Sequence, residues 1–209
     1  MTPEQLAAAR DRTLRDVVAP DLRVLFCGIN PGLMSAYTGH HFARPGNRFW
    51  PALHASGFTP RRFAPAEQWE VLELGFGLTN VAGRATARAD ELSREELMAG
   101  GERLIAKVAA YRPGWLAVLG VTAYRVAFGD KDARVGPQEL RLGGTRVWVL
   151  PSPSGLNAHW SPATLAQEFG RLRAAAYGSQ YGPRAADGDA TGAPAAVRAQ
   201  GPDGTGLRI

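Results

Sequence analysis

An asparagine set among glycine and proline, Gly28-Ile29-Asn30-Pro31-Gly32, follows directly on the apolar run Val24-Leu25-Phe26-Cys27. A short apolar run of this type reads as a buried strand of a parallel sheet. In open α/β sheets ligands bind beyond the carboxyl ends of such strands. Asn30 is therefore a candidate for chemistry. Its amide can orient a water molecule but cannot take that water's proton at neutral pH. Proline stiffens the segment, and glycine lets backbone approach a ligand. The same five residues also satisfy a simple turn.

Two further segments carry contacting or reactive side chains. The stretch after Asn80 runs through Arg84, Arg88 and Asp90. Asp90 is the carboxylate placed to assist a water; its other reading is a helix-entry residue beside the Ser93 cap. The stretch Pro151-Ser152-Pro153-Ser154-Gly155-Leu156-Asn157 is stiffened by two prolines and presents one large apolar side chain. A rigid loop with an apolar tip suits insertion between stacked bases, although Leu156 can equally cap the core beneath its own loop. Between these segments lies His40-His41-Phe42-Ala43-Arg44-Pro45-Gly46-Asn47-Arg48-Phe49-Trp50. Phe42 offers a flat face to a base. Arg44 and Arg48 are candidates for phosphate contact, whereas Phe49 and Trp50 read as core of the following helix. His40, His41, His54 and His159 show no metal-ligand spacing.

The elements that must position these residues alternate. Thr2-Pro3-Glu4-Gln5 opens a helix with Thr2 as cap. A strand is expected over 22–28, a helix over 47–56, and a short strand near 77–80. Ser93-Arg94-Glu95-Glu96 is a capping box, with Leu97, Leu104, Ile105 and Val108 behind it at helical spacing. A buried strand over 115–120 and a helix through 124–128 follow. The runs 140–142 and 145–150 flank Gly143-Gly144 as a hairpin. The last helix starts at Ser161-Pro162, buries Leu165, Phe169 and Leu172, and stops before Gly178. The expected fold is a three-layer α/β/α domain with a mostly parallel central sheet. If the strands are parallel, the three loops meet on one edge.

Residues 1–177 form the expected domain. The segment 178–209 is rich in Gly, Ala and Pro and balances three arginines with three aspartates. Such a composition cannot bury enough apolar surface to order itself, so a disordered tail is expected. The charge of +5 therefore belongs to the first 177 residues. Only Lys107 and Lys131 are lysines, so arginine carries the basic surface, which suits bidentate phosphate contact. One cysteine, Cys27, excludes an internal disulfide and a four-cysteine metal site. No membrane-span-length apolar run and no apolar signal core are found, so an intracellular, cytoplasmic location is expected.

Taken together, Gly28-Ile29-Asn30-Pro31-Gly32, Arg44-Pro45-Gly46-Asn47-Arg48-Phe49-Trp50 and Pro151-Ser152-Pro153-Ser154-Gly155-Leu156 resemble the mismatch-specific uracil-DNA glycosylases, relatives of thymine-DNA glycosylase. Gly77-Leu78-Thr79-Asn80 and Leu92-Ser93-Arg94-Glu95-Glu96-Leu97 extend the likeness, which runs in family order from about Leu22 to Tyr177. The resemblance implies a base-flipping DNA repair enzyme, and because no credible ligand cluster accompanies the Asn30 and Leu156 loops, no cofactor and no metal are expected. Asn30 would position the water; Asp90 joins it as a catalytic candidate by its place in the second loop of the same edge, not by the resemblance. Ile29, Ser35, Phe42 and Asn80 would contact the flipped base. Arg48, Ser154, Gly155, Leu156, Asn157 and His159 would contact DNA, Leu156 filling the vacated stack. Two departures stand out. Ser152 replaces the asparagine that opens the family's wedge motif, and Ala158 stands where an arginine often meets the orphaned guanine. Asn157 or His159 would have to substitute. The expected partner is double-stranded DNA with a mismatched or damaged base, bound by a monomer. A non-catalytic module sensing distorted duplex is the alternative, and the lack of a Gly-rich phosphate loop argues against a nucleotide-binding protein.

Overall fold

The computed structural model describes residues 2–10, 12–155 and 157–178. Leu156 and the expected tail, apart from Gly178, lie outside the described residues. The order of elements is α1 (Pro3–Ala7), β1 (Val24–Gly28), α2 (Leu33–Thr38), α3 (Phe49–Ala55), a 3-10 helix (Pro65–Leu72), β2 (Phe76–Asn80), a 3-10 turn (Ala89–Glu91), α4 (Arg94–Tyr111), β3 (Trp115–Leu119), α5 (Val121–Phe128), β4 (Gly136–Leu142), β5 (Thr145–Leu150) and α6 (Pro162–Tyr177).

The five strands form one sheet in the order β2-β1-β3-β5-β4. All neighbours are parallel except β4, which returns antiparallel to β5 through the Gly143-Gly144 turn. Both faces of the sheet are covered. On one, Val24, Phe26, Leu78, Ala117, Leu119, Trp148 and Leu150 pack on Phe49 and Leu53 of α3 and on Leu165, Phe169 and Leu172 of α6. On the other, Leu25, Cys27, Leu116, Val118, Val147 and Val149 meet Leu97, Leu104 and Val108 of α4 and Tyr124 of α5. Alternation along each strand sends successive side chains to opposite layers, which is why the central strands are apolar throughout.

Registers Gly28↔Asn80 and Leu119↔Leu150 bring the carboxyl ends of β1, β2, β3 and β5 to one edge. Helix starts follow their caps: the Ser93 side chain accepts from the Glu96 N–H, and Ser161 from Thr164. The helix expected over 47–56 begins at Phe49, because Asn47 Oδ1 accepts from the Phe49 N–H at 2.9 Å. Helix α2 and the 3-10 helix were not legible in the sequence. Six residues between Gly32 and a left-handed Gly39 are too few to show a periodicity. Among the described residues no helix is long and apolar enough to cross a membrane.

Candidate active site

The loops after β1, β2 and β5 converge, as their shared edge requires, around a cavity of about 780 Å³. The turn after β1 is tied to the turn after β2. Val81, Ala82 and Thr86 donate their N–H groups to the carbonyls of Gly28, Ile29 and Pro31 at 2.9, 2.9 and 3.1 Å. These bonds carry strand-like pairing past the end of the sheet and hold Asn30 at the cavity wall.

Asn30 Nδ2 donates to the Arg84 carbonyl at 2.9 Å and to Thr86 Oγ1 at 2.7 Å. A carbonyl only accepts, so this pair of contacts fixes which end of the amide is nitrogen. Both amide protons are engaged, and no donor among the described residues reaches Oδ1. Thr86, which the sequence reading did not single out, is buried at 1% exposure. Arg84 is in turn held by Glu96, the partner of Ser93 in the capping box of α4, through Nε–Oε1 at 2.6 Å and Nη2–Oε2 at 2.9 Å. The hydrogen bond from Arg84 holds the Glu96 carboxyl down to about 2.

The floor is Gly28. A Cβ there would stand 2.5 Å from Asn80 Oδ1 and 3.3 Å from the Phe42 ring, so only glycine lets both side chains cross the strand end. Phe42 adopts a left-handed φ of 55° and stacks on Phe49 with centroids 3.9 Å apart. Its turn is held by Ser35 Oγ, which accepts from the Ala43 N–H at 3.1 Å. Ser35 therefore lines the cavity as a buried support of the aromatic turn. The neighbouring His41 is buried: its N–H donates to Gln68 Oε1 at 2.7 Å, and its Nε2 lies 3.1 Å from the Arg15 carbonyl. Burial pushes its pKa down to about 4, so the ring is neutral. The backbone N–H groups of Ile29 and Phe42 meet no acceptor among the described residues, and neither does the half-buried amide of Asn80. All three residues line the cavity.

Asp90 stands at the exposed rim, its Oδ2 2.7 Å from Arg88 Nη2. The Arg88 hydrogen bond holds its carboxyl below the usual range, so it is ionised at neutral pH. It does not serve as the entry residue of α4. Glu91 closes the 3-10 turn by accepting from the Arg88 N–H, and Ser93 caps the helix. Asp90 is the only carboxylate among the described cavity residues, and no lysine lines the cavity.

Arg48 is placed differently from the expectation of a phosphate contact. Its Nη2 donates to the carbonyls of Ser154 and Asn157, each at 2.8 Å, and its Nη1 to the Trp160 carbonyl. Its backbone N–H donates to the Pro153 carbonyl at 2.9 Å. The guanidinium thus clamps both flanks of position 156 from inside the protein. Gly155 packs so closely that a Cβ would lie 2.7 Å from the Gly46 carbonyl. Asn157 is also turned inward, its Nδ2 donating to the Ser152 carbonyl at 3.1 Å. His159 and Arg44 are exposed. Among the described residues no three His, Cys, Asp or Glu side chains gather to hold a metal.

Residues 15–173 match the family model of the Uracil DNA glycosylase superfamily. The fold is similar to the solution NMR structure of a candidate uracil DNA glycosylase from Methanosarcina acetivorans. That likeness has a TM-score of 0.54 at 22% identity and covers 78% of this chain and 98% of that one.

Proposed function

This chain belongs to the uracil DNA glycosylase superfamily, and we propose that it is a monofunctional glycosylase acting on uracil mispaired with guanine in duplex DNA. Thymine and modified pyrimidines opposite guanine belong to the same proposed class. The observation that carries the reading is the Asn30 amide. Both of its protons are held by Arg84 and Thr86, and its oxygen is left to a ligand at the wall of the cavity.

A duplex hides the glycosidic bond, so the nucleotide must be extruded, at a cost of a few kcal/mol that is smaller at a mismatch. The Phe42 ring then stacks on the base. The Asn80 amide and the backbone N–H groups of Ile29 and Phe42 meet its polar edge. The bond between C1′ and N1 breaks with its electron pair on N1, leaving a pyrimidine anion and an oxocarbenium-like sugar. N–H donors aimed at the base oxygens stabilise that anion as an oxyanion hole does. Asn30 Oδ1 accepts from the attacking water and so turns the water's lone pair towards C1′, where the new C1′–O bond forms. The water's proton passes to Asp90 or to solvent, since the amide cannot take it. With no lysine at hand to form a Schiff base, the product is an abasic site on an uncut strand.

Leu156, with Gly155, fills the vacated stack, and the Arg48 clamp shapes that loop before DNA arrives. Guanine opposite falls to His159, because Asn157 donates into its own loop. The test is incubation with uracil opposite guanine, opposite adenine and in single strand, followed by alkali. Alkali-dependent breaks, most rapid opposite guanine and undiminished by a chelator, are expected. Tight duplex binding with no released base would instead assign the chain as a module that senses distorted duplex.

A further inference from the structure

The residues before the family-matched stretch are folded onto the site. Helix α1, with its capping box between Thr2 and Gln5, lies on α2. Ala9 is fully buried in a small cluster with Ala36 of α2 and Ala85, flanked by Leu33 and Tyr37. Ala85 sits between Arg84 and Thr86, the two residues that hold the Asn30 amide. The next residue, Arg10, reaches Glu91 Oε2 on the same loop with its Nη1 at 2.8 Å. Leu6 and Leu14 line the cavity itself. The chain then enters the sheet edge, where Val17 exchanges two backbone hydrogen bonds with Leu78 at 2.9 and 2.8 Å.

We propose that this N-terminal arm, residues 2–10 and 12–14, is a positioning element of the site: it holds the 84–91 loop against Asn30 and closes one flank of the base cavity to water. The proposal rests on the glycosylase reading of that cavity. Three alanines meeting allow the arm, α2 and the loop to approach closely, and any larger side chain at Ala9 would drive them apart. The Arg10–Glu91 pair is half exposed and adds little by itself, so the alanine contact and the two leucines do most of the holding. An orienting amide is useful only while its partners stay put, and a displacement of about 1 Å in such a group can lower a rate by as much as 10²-fold. The arm's side chains do not touch the reacting atoms. They act through the Arg84 carbonyl and the Thr86 hydroxyl.

The test uses the full chain carrying Ala9→Asp, which places a charge in the buried contact and evicts the arm. A second variant, Leu6→Ala with Arg10→Ala, removes the wall and the tether without burying a charge, so it keeps the test alive if the first misfolds. Release of the arm is read by trypsin cleavage after Arg10 or Arg12. Backbone hydrogen exchange over residues 82–92 is then measured, with single-turnover release of uracil opposite guanine and the Kd for the same duplex. Expected are faster exchange over 82–92, unchanged exchange in β1 and α4, a rate about tenfold lower, and a duplex Kd within about twofold of wild type. Unchanged exchange over 82–92 with the arm released would overturn the proposal, as would faster exchange with a wild-type rate. A wild-type protein that releases no uracil refutes the glycosylase reading instead, and the exchange measurement then decides the arm's hold on the loop by itself.

Discussion

Arg48→Ala separates a clamp from a phosphate contact. In the structure the guanidinium donates to the carbonyls of Ser154, Asn157 and Trp160. A hydrogen bond from a charged donor nets about 1.5–3 kcal/mol, so three would give roughly 5–9 kcal/mol if nothing relaxed. The loop is at the surface, however. Its freed carbonyls rehydrate and its backbone regains entropy, so the expected loss is about 2–4 kcal/mol. For a domain of this size that lowers the Tm by roughly 5–15 °C. The functional loss falls on the loop that replaces the extruded base. Excision from duplex should drop about tenfold or more, and excision from single strand by less than about threefold. Arg48→Lys, a point charge that cannot fork to two carbonyls, should recover only part of both losses. Duplex affinity measured against salt supplies the refutation. A phosphate contact would leave the Tm unchanged and lower the slope of log K on log salt by about 0.9. That pair of results would show the clamp reading wrong.

Further outcomes are expected. Asn30→Ala should lower the single-turnover rate by about 10²-fold with duplex affinity within a few-fold, and Thr86→Ala should lower it about tenfold by freeing the amide to rotate; an Asn30→Ala protein with wild-type rates removes the main support for the mechanism. Asp90→Asn should leave the Tm unchanged, since among the described residues its carboxylate pairs only with Arg88, at an exposed rim, and should slow the chemical step about tenfold or more if the carboxylate takes the water's proton; an unaltered rate sends that proton to solvent. Leu156→Ala should weaken excision from duplex more than from single strand, and equal losses on the two substrates would assign the side chain to the core. His41 is held neutral with its pKa down at about 4 against an ordinary 6.5, so the unfolded chain binds the extra proton between those values. Stability from this residue is full above about pH 6.5 and is lost as pH falls towards 4, by about 3 kcal/mol, so urea unfolding of His41→Phe should show a flatter pH dependence in that window than wild type.

Much of the frame was legible in the chain because it is local. Apolar runs such as Val24-Leu25-Phe26-Cys27 are buried on both faces wherever helices cover a parallel sheet, and the caps at Thr2, Ser93 and Ser161 depend on residues three positions away. From parallel strands alone it follows that the loops bearing Asn30, Asp90 and Ser154 share one edge. What those side chains do there was decided by partners distant in sequence. Asn30 is oriented by residues 54 and 56 positions on, and Arg48 is drawn inward by carbonyls 106, 109 and 112 positions away. An arginine beside a glycine-rich turn has the same composition whether it faces a phosphate or its own protein. Only the packed backbone presents the three carbonyls that settle its direction. The same holds for Ala9, an unremarkable alanine in sequence, whose burial against Ala36 and Ala85 exists only once helix, arm and loop have been brought together by the sheet beneath them.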